Sequence, residues 1–347
     1  MKRGAMIRGR ANVIIDGQWG STGKGKLAAW LCQHERPELA VCDYMPNAGH
    51  TYVDDDGVSL TFCQLPVAAA FGIDCYIGPH ASINVELFKK ELKSVRDRGI
   101  DPEVWVHPLA TVVAEEDKTR EQSEAGRIAN TAKGGHSASV KKILRSRDAV
   151  LAKDDPFLRH HVKSDFHQVI QKRVAGGDTC LIETAQGFDL GLNHGWSYPF
   201  VTGRDCLIGR VMDNAGLPLR RLGSIIGSLR AHPIRVGNTS DGQSGPFYPD
   251  QQELTWEQLS KMMGKDIKAE LTTVTKRVRR VFTFSDIQLR RFLSFVAPTH
   301  AFLNFVNYLP KGADDSFVKD LNASLMAEGC DLFLLGTGPK QSDVVRL

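Results

Sequence analysis

The chain has 347 residues, 42% of them hydrophobic and 24% charged, with a formal net charge of +4. That length supports a large core in one domain with insertions, in the composition range of ordinary globular proteins. The positive excess is spread along the chain, without the dense basic face or tail of a nucleic-acid binder, and no apolar run approaches the ~20 residues of a membrane helix.

In chain order, Met1 to Arg10 reads as a polar lead-in without the apolar stretch of a signal peptide. Ala11 to Asp16 is a short apolar strand that runs into a glycine-rich loop, Gly17 to Lys26, and then a helical stretch, Leu27 to Glu35. Leu39 to Asp43 reads as a second buried strand. Asn84 to Arg98 carries Val85, Phe88, Leu92 and Val95 at helical spacing. Val104 to Ala114 is β-branched and predicts a strand, Phe157 to Val174 a helix, and Thr179 to Glu183 a buried strand. Gly223 to Leu229, Ala301 to Val306 and Asp331 to Leu335 complete the clearest strands. Strands alternating with helices predict an α/β fold with a large, mainly parallel sheet. Nothing divides residues 1–347, which predicts a single domain with inserted subdomains; Gly237 to Gln252 is the least regular stretch. The seven cysteines are odd in number and form no CxxC pair. They read as buried free thiols of a reducing, cytoplasmic compartment.

Five segments carry chemistry-bearing side chains. In Gly17-Gln18-Trp19-Gly20-Ser21-Thr22-Gly23-Lys24-Gly25-Lys26 the glycines allow backbone N–H groups to face an anion, and Lys24 adds a point charge. It is not a Walker A loop, because Gly25 follows Lys24; a structural turn is the alternative. Asn47-Ala48-Gly49-His50-Thr51 follows the second strand, and strand ends in a parallel sheet share one crevice. His50 there can give a proton to an oxygen or polarise it, or it is a turn histidine without a role. Glu183 to Phe188 follows another strand and continues to Tyr198-Pro199-Phe200-Val201-Thr202; a side-chain amide at Gln186 suits a base edge, against plain turn chemistry. Thr272 to Arg280 offers arginine forks and threonine hydroxyls for a dicarboxylate such as aspartate, against a solvated basic strand. Gly336-Thr337-Gly338-Pro339 is by itself a turn.

The order of these motifs resembles the adenylosuccinate synthetase family from near the start of the chain to near its end. Gly17-Gln18-Trp19-Gly20, Gly23 to Lys26, Asn47 to Thr51, Ala185-Gln186-Gly187, Tyr198 to Thr202, Arg235-Val236-Gly237, Gly245-Pro246-Phe247 and Thr337-Gly338-Pro339 all read as its motifs. The resemblance implies a large fold related to P-loop GTPases and a homodimer. It also implies transfer of a γ-phosphoryl group to a purine O6, which aspartate then displaces. Gly20, Thr22, Gly23, Lys24, Gly25, Lys26, Gly49, His50, Thr51, Asn304, Asn307, Gly336, Gly338 and Pro339 would contact the phosphate donor. Mg²⁺ would be held at Gly49 and Ser21. Ser21, His50, Lys24 and Gln186 would act in catalysis. Ser21, Asn47, Asn130, Thr131, Gln186, Thr202, Val236 and, from its partner, Arg145 would bind the substrate nucleotide, with Thr273, Thr275, Arg277 and Arg279 around aspartate.

Three departures refine this expectation. The family's Gly-Asp-Glu-Gly loop, whose Asp takes the N1 proton, is Gly20-Ser21-Thr22-Gly23 here. A serine hydroxyl is a poor unaided base, so either the protein is inactive or the substrate is placed differently. The shorter side chain leaves room beside N1 and C2, where guanine carries an amine. The family's guanine-reading Thr-Lys-x-Asp is Asn304-Phe305-Val306-Asn307, which favours ATP or dATP over GTP. Lys276 stands where the family has Gly, and Phe282-Thr283-Phe284-Ser285 where it has Gly-Trp-Phe-Asp. Ser21, the lost guanine-reading Asp and Met45 to Tyr52 are similar to the viral branch, which joins dGMP to aspartate. The expected partners are dGMP, L-aspartate and ATP or dATP, in the host cytoplasm, with no nucleic acid or membrane. An ordinary IMP-using synthetase and an inactive nucleotide-binding homologue remain the rival readings.

Overall fold

Apolar segments far apart in sequence become neighbours in one nine-stranded sheet. The computed structural model describes every residue except 1–3, 125–127, 129–130, 239–241, 273–275 and 311–312. The strands are β1 (Ala11–Asp16), β2 (Leu39–Cys42), β3 (Asp74–Ile77), β4 (Val104–Val106), β5 (Cys180–Glu183), β6 (Leu222–Arg230), β7 (His300–Asn304), β8 (Asp331–Gly336) and β9 (Val344–Arg346). Their order is β9-β8-β7-β6-β1-β5-β2-β3-β4. All neighbours are parallel except β8 and β9.

Alternate residues of each central strand enter opposite cores. Ile14, Ala40, Cys42, Cys75, Ile77 and Leu181 pack with helix α1 (Lys24–Glu35) and the helical turn Val67–Phe71. Val13, Val41, Tyr76 and Ile182 pack with Phe166, Ile170, Val174, Val211 and Met212 on the other face. Both faces of the sheet's centre are therefore covered, as a parallel sheet requires, and β1, β2 and β5 are buried along their whole length. A third cluster, around Phe292 and Leu293 of the helix Asp286–Val296, covers β6 and β7. Because the parallel strands end at one edge, the loops after β1, β2, β5, β6 and β7 converge there, with β1 between β5 and β6.

Three expected elements break where local chemistry competes. The strand expected over Val104 to Ala114 stops at Val106; Pro108 follows, and His107 Nδ1 accepts from Leu109 N–H at 3.0 Å to close a turn. Thr111–Val112 then pairs with Ser82–Ile83 in a separate small sheet. The helix expected from Phe157 begins only at Phe166. The Asp155 carboxylate accepts from Phe157 and Leu158 N–H and limits the start to a short turn. Residues 161–163 then run beside Val106, with Val106 N–H donating to His161 O at 2.8 Å. The strand expected to Val306 ends at Asn304, since Phe305 takes φ 60°. The expected helix Asn84 to Arg98 is present as Val85–Arg96, capped by the Asn84 side chain accepting from Leu87 N–H. All seven cysteines are free and six are buried. Among the described residues no helix is long and apolar enough to cross a membrane.

Candidate active site

Asp16, the last residue of β1, is fully buried and organises the loop that follows. Its Oδ1 accepts from Gln18 N–H at 2.9 Å and Gly20 N–H at 3.1 Å. Its Oδ2 accepts from Thr22 Oγ1 at 2.6 Å, Thr22 N–H at 3.4 Å and Lys24 Nζ at 3.1 Å. Lys24 Nζ also donates to Gln186 O at 2.7 Å, linking the loops after β1 and β5. Two glycines permit this closeness. A Cβ on Gly187 would lie 2.2 Å from Gln18 O, and one on Gly25 would lie 2.5 Å from Thr51 O, so neither backbone has room for a side chain. The loop, α1 and the strand His50–Val53 thus form one wall of a cavity of about 710 Å³.

His50 is buried on that wall and lies flat on Tyr44, with ring centroids 3.9 Å apart and planes at 2°. Burial, then the charges of Lys24 and Arg204, push its pKa well below 6.5. The imidazole is therefore neutral, and Nε2 is buried without a hydrogen-bond partner among the described residues. The same holds for Trp19 Nε1, Asn47 Oδ1 and Thr131 Oγ1, which belong to other cavity-lining residues. Buried polar atoms are nearly always paired, so this group marks a surface built to meet a polar ligand.

The opposite wall includes Glu270, Leu271, Thr272 and Arg279. Arg279 donates through Nη1 to Ser21 Oγ at 2.6 Å and through Nε to Leu271 O at 3.1 Å. Burial lowers the Arg279 pKa to about 10, against the raising effect of Glu270, so it stays charged at neutral pH. Glu270 pairs with the fully buried Arg230, Nη2 to Oε1 at 2.7 Å, and Arg230 Nη1 donates to Ser21 O at 3.2 Å. Although burial raises the Glu270 pKa, Arg230 holds it below the usual value. Arg230 stacks on Phe305 at 3.8 Å. These contacts support Ser21 in a left-handed conformation, φ 58°.

At the far end, Thr202 Oγ1 and Gly203 N–H both lie 3.3 Å from His136 Nε2. The helix Gly135–Ile143 begins here, and Glu121 accepts from the N–H groups of Gly134, His136 and Ser137 at that end. Thr131 and Thr202 are among the side chains that line the cavity at this end.

The cavity wall gathers Gly20, Ser21, Gly23, Lys24, Gly25, Asn47, Gly49, His50, Thr51, Thr131, Gln186, Thr202, Val236 and Arg279. Thr22 sits beneath the loop on Asp16. Lys26 points away, donating to Gly338 O at 2.6 Å and Asp343 O at 3.4 Å, which ties α1 to the Gly336–Pro339 turn. Burial lowers its pKa to about 8. Asn304 Nδ2 donates to Thr22 O at 3.2 Å and Asn307 is half-buried; neither lines the cavity, nor do Gly336, Gly338 and Pro339. Arg277 is half-buried and Arg145 is exposed; neither lines the cavity. Asn130, Thr273 and Thr275 lie outside the described residues. Sequence reasoning missed Asp16, His136, Arg230, Glu270 and Phe305. Only Asp16 carried a signal, a carboxylate closing an otherwise apolar strand.

A family model for adenylosuccinate synthetase matches residues 13–156 and 151–311. The N6-succino-2-amino-2'-deoxyadenylate synthase of Vibrio phage phiVC8 is 37% identical, covering 96% of this chain and 97% of that protein. The adenylosuccinate synthetase of Thermococcus sibiricus is 28% identical, covering 96% and 98%. Among solved structures, the succinoaminodeoxyadenylate synthetase of cyanophage S-2L, bound to dGMP and to dATP as an energy donor, superposes with a TM-score of 0.87 at 33% identity, covering 97% of this chain and 95% of that one. The adenylosuccinate synthetase of Plasmodium falciparum shares the fold, with a TM-score of 0.77 at 16% identity over 97% and 99%.

Proposed function

We propose, from the premise that the chain belongs to the adenylosuccinate synthetase family of carbon–nitrogen ligases, that it joins L-aspartate to C6 of dGMP using ATP or dATP. The product is the 2-amino-2'-deoxy analogue of adenylosuccinate. The observation that carries this reading is Ser21: a short hydroxyl, held by Arg279, where the family places an aspartate beside N1. A carboxylate there would crowd the 2-amino group; the serine leaves space and an oxygen that can accept from it.

The chemistry solves one difficulty, that O6 leaves poorly until it is phosphorylated. Lys24 and the loop N–H groups meet the charge of the transferred group. His50, neutral and with a free ring nitrogen, serves O6 and the γ-phosphate. Asn47, Thr131 and Thr202 hold the dGMP base and 5'-phosphate, and Gln186 borders the base. Arg279, and Arg277 beside it, clamp the aspartate carboxylates while its amine attacks C6. Among the described residues no cluster of three His, Cys, Asp or Glu could cage a metal. That fits Mg²⁺, which is held largely by phosphate oxygens. The Gly49 carbonyl on the cavity wall is the protein group offered to it, and bound Mg²⁺ would neutralise phosphate charge. Ser21 fits that role poorly, since the Arg279 guanidinium 2.6 Å from its oxygen repels a second cation. We further assign Asn307 and the Gly336–Pro339 turn to the donor base, and the reaction to the host cytoplasm.

One assay matrix tests this: dGMP, GMP and IMP, each with aspartate and with ATP, dATP or GTP. The expected result is turnover of dGMP with ATP or dATP, and a Ser21→Asp variant that loses dGMP activity more than IMP activity. Faster wild-type turnover of IMP than of dGMP overturns the substrate, and a strong preference for GTP overturns the donor.

We also propose a homodimer in which Arg145 of the partner subunit completes each site. Arg145 follows the helix Gly135–Ile143, whose end exposes Ile143 (73%) and Leu144 (67%). Arg145→Ala and His50→Ala chains should each be inactive and regain activity on mixing, since hybrid dimers hold one intact site. No recovery after demonstrated subunit exchange would show that the sites are not shared.

A further inference from the structure

We propose that Tyr44 is the positioning residue for His50, holding the imidazole by a face-to-face stack in place of a hydrogen bond. The proposal rests on the reading of His50 as the group that serves O6.

A reacting histidine is commonly oriented through one ring nitrogen, which fixes its tautomer and occupies that nitrogen. His50 has no such partner: among the described residues neither ring nitrogen makes a hydrogen bond, and Nε2 is buried and unpaired. What holds the ring is Tyr44, parallel to it within 2° at 3.9 Å. Tyr44 is itself tied to the middle of the sheet. Its hydroxyl donates to Glu183 Oε2 at 2.9 Å, and its carbonyl accepts from Ser82 N–H at 3.3 Å. Glu183 also accepts from Val67 N–H at 2.9 Å and Ala68 N–H at 3.0 Å, and its backbone lies in β5 between β1 and β2. A rigid line therefore runs from the sheet through Glu183 and Tyr44 to His50. The stack fixes the ring plane and leaves both nitrogens open, so the ring can accept a proton at one and donate from the other without first breaking a bond to the protein. Tyr44 touches neither substrate nor phosphate in this scheme; it acts through His50.

The test compares Tyr44→Phe, which keeps the stack, with Tyr44→Leu and the unbranched Tyr44→Met, which remove it. Steady-state kinetics are measured on whichever of dGMP or IMP the wild type converts. The His50 ring C–H resonances, assigned by their loss in His50→Asn, are followed by NMR. Tyr44→Phe should keep kcat within about threefold and keep the upfield ring-current shift of His50. Tyr44→Leu and Tyr44→Met should lose that shift and lower kcat roughly 30–100-fold, with KM for each substrate within about threefold. Wild-type kcat in either aliphatic variant overturns the proposal, as does a kcat loss with the His50 shift intact. If one aliphatic variant does not fold, the other decides. Conversion of IMP alone overturns the dGMP reading, and the kcat comparison then decides the role of Tyr44 on IMP.

Discussion

Replacing His50 with asparagine should lower kcat by roughly 10²–10⁴-fold while dGMP and dATP affinities change little. Asparagine keeps a polar atom near one ring nitrogen but cannot exchange a proton at neutral pH. Charge develops on O6 and on the transferred phosphoryl group only as the reaction proceeds, so the lost interaction belongs mainly to the transition state; the range corresponds to about 3–5 kcal/mol. The environment of His50 adds a pH signature. Burial and the Lys24 charge disfavour the imidazolium, so the ring stays neutral as pH falls through 6.5. The kcat/KM profile should then show no acid limb from His50 near 6.5, only one well below it. Single-turnover rates with separate nucleotide-binding titrations check both points. A His50→Asn enzyme with near-normal kcat, or an acid limb near 6.5 that this substitution removes, would sink the assignment.

Asp16→Ala should destabilise the fold by about 3–5 kcal/mol and abolish nucleotide binding. The carboxylate is fully buried and takes donors from Gln18, Gly20, Thr22 and Lys24. Removing it strands the Lys24 ammonium, itself only 8% exposed, on one carbonyl, and releases the loop N–H groups from their common acceptor. Breaking a buried pair from one side is costly because the remaining charge stays desolvated. Urea unfolding should show a lower midpoint at unchanged slope, and calorimetry should show no heat of dATP binding. An unchanged midpoint would mean that Asp16 is dispensable to the loop.

The first half of the site was legible in the sequence because each part is local. An apolar strand, clustered glycines and a lysine state the loop, and Asn47 to Thr51 lies shortly after the next strand. Of the opposite wall, Thr272 and Arg279 were legible, but what supports them was not. Arg230, Glu270 and Phe305 come from three segments, and nothing local links a buried arginine on β6 to the carboxylate that neutralises it. Lys26 looks like part of the phosphate loop, but the first turn of α1 rotates it to the far side, toward Gly338. Breaks such as Pro108 and Phe305 came from turn chemistry within otherwise apolar runs, where periodicity is silent. Asp16 was visible but was read as the end of a strand, since a buried acceptor is recognised only once its donors are folded around it.

The central position of β1 bears on how the chain is made. Its neighbours in the sheet are β5 and β6, with Ala11 opposite Cys180 and Leu222. The first strand to leave the ribosome therefore waits until the fifth is made before it can pair. At ordinary elongation rates of 5–20 residues per second, the 169 residues separating Ala11 from Cys180 take roughly 8–35 s to synthesise. Throughout that interval Ala11–Asp16, an apolar ribbon with both edges open, has no native strand partner and invites association with other nascent chains. Yield in the cell should thus depend on translation speed between β2 and β5, and on chaperones that shield β1 until its neighbours emerge.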